Sequence, residues 1–187
     1  MRGVLLPCHP MRRLVDIDLM DDEQLQAQMT ANSLWILLSG VLLGVLAAVV
    51  LPHEEITLLW FALLVGASVV ALPIHELVHA LAFELLSGFR ARISFGFKSG
   101  MLYTCAVGTV LPRGRFCAVL LAPAIVVTGA LVALAAALGM PLMGWFLSTI
   151  HLAGCTGDFG YVRIIASEPR ANLVQDTKRG IALFHDE

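Results

Sequence analysis

Apolar residues in this chain run in long blocks with short polar segments between them, and they lack the spacing of an amphipathic surface helix. Positions 34–51 carry no charged side chain, and neither do positions 56–74. Across 116–157 the titratable side chains are those of His151 and two cysteines. About 20 apolar residues suffice to cross the hydrocarbon core of a bilayer. The first block therefore predicts a transmembrane helix at 34–51, and the second predicts a helix from 56 to about 87. As one helix, the third block would be about 63 Å long, twice the hydrocarbon thickness, so it must fold back. Gly139-Met140-Pro141 marks the break, giving a third helix at 116–138 and a fourth from 142 to about 166.

The polar segments carry other patterns. Glycines at 88, 96, 100, 108 and 114 punctuate alternating residues, and the stretch reads as a β-hairpin at 91–107, turning about Lys98-Ser99-Gly100. Positions 172–175 and 181–184 form a second small hairpin, expected to pack on the first. Near the amino terminus, Asp18 or Asp21 is placed to cap a short surface helix through 24–32. The expected fold is mainly α and integral to the membrane. It has four transmembrane helices, a small β-hairpin between the second and third, and a short C-terminal tail. Residues 1–33 form an amino-terminal tail, 34–166 the membrane domain and 167–187 the carboxy-terminal tail.

Composition agrees with the pattern, at 58% hydrophobic and 14% charged residues. The formal net charge of -2 and the absence of a long basic block argue against a nucleic-acid partner. Cysteines 8, 105, 117 and 155 show no CxxC pairing, so neither a disulfide framework nor a zinc ribbon is expected, and Cys8 beside His9 reads as an ordinary tail pair. The stretch 1–33 has no continuous apolar core, so no signal peptide is expected. All 12 lysines and arginines fall in the amino tail, in 88–115 or from Arg163 onward. Four spans put these regions on one side, which the positive-inside rule makes the cytoplasm, and the acidic turn at 52–55 lies opposite. Gly40 and Gly44 form a GxxxG, either a helix contact or two incidental glycines.

The chemistry concentrates at 73–84, Pro-Ile-His-Glu-Leu-Val-His-Ala-Leu-Ala-Phe-Glu. His75 and His79 stand four apart, so on a helix both imidazoles leave one face and can close on a single ion, with Glu76 beside them as general base. Pro73 should kink the helix just before these residues. Glu84 lies roughly 140° around the helix from His79 and is not expected to be a ligand. In the fourth helix, Asp158 is an acid inside a membrane span and needs a partner, which a metal on His75 and His79 would supply. Counted from the outer helix ends, His75 and His79 lie about 27 and 33 Å deep and Asp158 about 24 Å, close enough to meet. His151 lies about 10.5 Å further out on nearly the same face, too far to share an ion with Asp158 but placed to bind substrate or orient a buried water. Gly154 and Gly157 would let the fourth helix approach the second.

In this order, HELVHA, the glycine-containing hairpin with LYTC, LLAPAIV, HLAGCTGD and QDTKRGIALF, the chain resembles the zincin peptidase family of bacterial membrane proteins. That family is itself similar to the site-2 protease group of intramembrane metalloproteases. The resemblance covers about 57–184 and implies Zn²⁺ held by His75, His79 and Asp158, with Glu76 as base. The chain departs from the site-2 proteases in having Phe159 after Asp158, where they have a glycine, and in having no PDZ-like domain. The implied activity is hydrolysis of a peptide bond in a membrane-protein or peptide substrate near the cytoplasmic leaflet. Both termini would be cytoplasmic and the membrane that of a bacterial cell. Two other readings use the same residues: a non-catalytic membrane module whose metal is structural, and a metal-dependent lipid or amide hydrolase. Coordination separates the first from catalysis, because a catalytic zinc keeps a position open for water.

Overall fold

The computed structural model describes residues 12–18, 22–50, 54–98, 101–178 and 180–186. The Cys8–His9 pair, Asp21, Pro52, His53, the Ser99-Gly100 turn and Arg179 lie outside them. Three apolar blocks become helices long and apolar enough to cross a membrane: α1 (Glu23–Val50), α2 (Leu58–Ser87) and α3 (Arg113–Ala137). Their outward faces are bare hydrocarbon, with Val50 85% and Leu58 87% exposed. A surface of that kind is stable against lipid and unstable against water, so the protein is membrane-associated. It is mainly helical, with two small sheets.

The expected fourth helix is instead two shorter ones, α4 (Pro141–Gly154) and α5 (Thr156–Ser167), meeting at Cys155. Gly154 and Gly157 flank the joint, and glycine is a poor helix former. At 14 and 12 residues, neither helix alone has the length of a span.

The chain's own capping groups set the helix limits. Asp22 Oδ1 accepts from Leu25 N at 2.9 Å, so the helix expected near the amino terminus is the first part of α1, capped one residue beyond Asp21. Thr57 caps α2, and Gly88 ends it in the left-handed region at φ 69°, where a side chain would be strained. Pro73 lies within α2, which continues through it. Glu54 caps the start of α4, accepting from Leu142 N and, at 3.3 Å, from Met143 N, while Trp60 Nε1 donates to it at 2.9 Å. The acidic turn thus supplies the negative charge that a helix amino terminus favours.

The polar segments build the sheets. Strands β1 (Arg12–Asp18), β4 (Val110–Pro112), β5 (Leu173–Asp176) and β6 (Gly180–His185) form one antiparallel sheet in the order β1-β6-β5-β4. Strands β2 (Ser94–Lys98) and β3 (Met101–Cys105) form the expected hairpin, with Phe97 opposite Leu102. The C-terminal hairpin does not stack on this one: it pairs with β4 and β1, and it meets the first hairpin at the end of β3, where Asp176 accepts from Ala106 N. Arg12–Asp18 is a strand because β6 offers it an edge and its Leu14, Val15 and Ile17 pack on the core. Among the described residues, strands from all three segments that carry lysine and arginine therefore meet in one sheet. The main core lies there, where Phe83 of α2 meets Phe116 of α3 edge-to-face beneath Leu111, Val174, Ile181 and Leu183.

Of the glycines read as helix contacts, Gly40 and Gly44 make close approaches and Gly154 and Gly157 do not. Gly154 and Gly157 have open space where a side chain would go, so they make no close approach to α2. Gly40 does make one, with α4: a Cβ there would lie 2.2 Å from Thr149 Cγ2.

Candidate metal centre

Two turns of helix bring the titratable groups together. His75 and His79 lie one turn apart on α2, their Nε2 atoms 3.1 Å from each other. Asp158 enters from the first turn of α5, with Oδ2 at 3.3 Å from His75 Nε2 and Oδ1 at 3.2 Å from His79 Nε2. The break at Cys155 starts a new helix just before this carboxylate.

These separations fit one small cation. Tetrahedral zinc with N and O ligands at roughly 2.0–2.1 Å requires donors roughly 3.3 Å apart. His75, His79 and Asp158 form a group able to hold an ion, and among the described residues no fourth His, Cys, Asp or Glu joins that group. The donor set therefore suits a zinc site with a vacant position.

The other ring nitrogens are engaged as well. His79 Nδ1 lies 3.1 Å from the Val119 carbonyl of α3, which can only accept, so that nitrogen carries a proton and Nε2 is left to face Asp158. Pro123, four residues on, explains why this carbonyl is available: proline has no N–H to close the usual helical bond to Val119. His75 Nδ1 lies 3.2 Å from His151 Nε2 on α4. His151 and Asp158 fall in different groups of possible ligands, yet both touch the imidazole of His75. Cys155 Sγ is 3.9 Å from His75 Nδ1, giving a second group of possible ligands, His75, His151 and Cys155.

A cavity of about 670 Å³ opens beside these groups, with His75, Glu76 and His151 in its wall. It lies between α1, α2, α4 and the start of α5, with Phe97 and Leu102 of the hairpin at its edge. Gly154 and Gly157 border it, which gives those glycines a place other than the expected helix contact. The carbonyl of Glu76 accepts from Thr104 Oγ1 at 3.0 Å, fastening the hairpin to the histidine segment.

Residues 68–173 match the family described as "Putative zincin peptidase". The chain belongs to this family. No curated protein and no solved structure matches it. The family match runs from within α2 to the start of β5, so it includes His75, Glu76, His79, His151 and Asp158 and leaves out α1 and β1. A zincin family implies zinc, which agrees with the donor set found here, and it carries a metallopeptidase class.

Two groups in this candidate site escape a reading by motif. Val119 contributes a backbone carbonyl, whose only trace in the sequence is the proline four residues later. Thr128, 2.9 Å from His151 Nδ1, is one hydroxyl in an apolar helix, and nothing local distinguishes it. Cys105, at the end of β3, is no competing nucleophile: burial and then the nearby Asp176 push its thiol up to about 11.

Proposed function

We propose that the protein is an integral-membrane zinc metallopeptidase, similar to the site-2 proteases, that hydrolyses a peptide bond near the cytoplasmic leaflet. The observation that carries this reading is the triangle of His75, His79 and Asp158 donors, 3.1–3.3 Å apart, with no fourth protein donor in the group among the described residues. When bound, zinc supplies a Lewis acid that polarises a carbonyl and makes water more acidic. Glu76 accepts the proton as water's oxygen joins the acyl carbon, then passes it to the amine nitrogen as the C–N bond breaks.

The remaining geometry supports a chain-like substrate. The cavity of about 670 Å³ has room for an apolar segment, and Phe97 and Leu102 at its edge belong to a two-stranded sheet that could hold an extended peptide by main-chain hydrogen bonds. In this reading α4 and α5 together make the fourth crossing. The sheet end, which collects the lysines and arginines, faces the cytoplasm of a bacterial cell with both termini. Membrane lipid and a membrane-protein or peptide substrate are the partners.

The test is metal content and peptide hydrolysis of the purified protein. His75→Ala, His79→Ala and Asp158→Ala should each drop zinc well below wild-type occupancy. Glu76→Gln should keep the ion and lose about 10²–10⁴-fold in rate. Asp158→Ala binding zinc as tightly as wild type would remove that residue from the ligand set, and hydrolysis of lipid but not peptide would reassign the reaction.

A further inference from the structure

We infer that Thr128 and His151 are positioning residues that set the tautomer and ring orientation of His75 for metal binding, through a hydrogen-bonded chain crossing three helices. This inference rests on the zinc reading above. The Nε2 of His75 faces His79 and Asp158, so that nitrogen must present its lone pair to the ion. A neutral imidazole then carries its proton on Nδ1, and in low dielectric that proton needs an acceptor.

His151 Nε2, at 3.2 Å, supplies the acceptor. The nearby Cys155 Sγ is the poorer candidate, at 3.9 Å and with its thiol donating to the His151 carbonyl at 3.2 Å. If His151 Nε2 accepts, His151 carries its own proton on Nδ1. There, Thr128 Oγ1 at 2.9 Å accepts it. A hydroxyl on α3 thus holds the orientation of a ring on α4, and that ring's unprotonated Nε2 holds the orientation and the Nδ1 proton of a ring on α2. His79 needs no such chain, because its Nδ1 already meets the backbone carbonyl of Val119. The two imidazoles are thus held by different means, one by main chain and the other by side chains that substitution can remove.

The experiment measures zinc affinity of the full-length protein in detergent by chelator competition, together with the visible spectrum of its Co²⁺ form. His151→Leu should weaken zinc binding about 10–100-fold and shift the Co²⁺ bands, because partners of metal-bound histidines contribute on that scale. His151→Gln, whose side-chain oxygen can accept from His75 Nδ1, should recover most of the affinity. Thr128→Val, an isostere without the hydroxyl, should weaken binding by a smaller factor, and Thr128→Ser should restore it. The valine variant keeps the test intact should His151→Leu fail to fold. Zinc binding by Thr128→Val and by a folded His151→Leu as tight as wild type, with unchanged Co²⁺ bands, would overturn the chain and leave the zinc site standing. A wild-type protein that binds no zinc would overturn both.

Discussion

A buried carboxyl group takes whichever protonation state its surroundings tolerate, and Asp176 shows this at the joint between the hairpin and the four-stranded sheet. Burial, which outweighs the amide hydrogen bonds from Ala106 and Thr177 and the pull of His79, raises its pKa from the ordinary 3.8 to about 7. The folded protein therefore holds this proton more tightly than the unfolded chain does. Its contribution is fully present below about pH 3.8 and is lost as pH rises through about 7. The thermal midpoint of wild type should accordingly fall between pH 4 and pH 7 relative to Asp176→Asn, which has no such proton to lose. Parallel profiles for the two proteins would show that this carboxyl is already ionised in the fold. Among the site residues, His75, Glu76 and His79 were legible in the sequence because their spacing is local and the helix period does the rest. The Val119 carbonyl and Thr128 were not, since each acts through a partner on a different helix, far away along the chain.

At the scale of elements, α3 carries a proline in its interior that an isolated helix would reject. An internal proline costs a helix about 3 kcal/mol, while replacing this buried ring with a methyl removes about two methylenes, worth about 1.6 kcal/mol. Pro123→Ala should therefore be as stable as wild type or slightly more so. The new amide would compete with His79 for the Val119 carbonyl, so zinc affinity should fall about tenfold. Stability and metal binding would move apart, and calorimetry with chelator competition on the same preparation checks both. A variant that lost neither would mean that the carbonyl accepts both donors without cost. The second element that departs from its pattern is the α4–α5 pair. The sequence reads as one helix from 142 to about 166 because its apolar run to 157 gives no sign of a joint at a buried residue such as Cys155.

At the scale of the molecule, α1 stands outside the family-matched segment yet walls the cavity, so its packing decides the cavity's shape. It is held to α4 by Gly40, whose carbonyl accepts from Trp145 Nε1 at 2.8 Å, and by Ser33, which donates to the Ala153 carbonyl at 2.8 Å. Gly40→Leu should cost about 1–3 kcal/mol through overpacking against the buried Thr149. Gly66→Leu, with nothing near its Cβ position, should stay within about 0.5 kcal/mol of wild type. Thermal unfolding in detergent reads the difference, and equal losses would mean that α1 does not seat on α4 through Gly40.

The sequence by itself determined the apolar spans, the β2–β3 hairpin and the histidine pair, because each depends on a short local period or on the length of an apolar run. Tertiary structure alone decided that Arg12–Asp18 becomes a strand, that a helix joint at Cys155 precedes Asp158, and that Gly40 and Gly44 make close contacts while Gly154 and Gly157 do not. These depend on pairings between residues far apart in the chain. The cost of closing such loops and the packing that offsets it are properties of the assembled molecule, and no local window contains both.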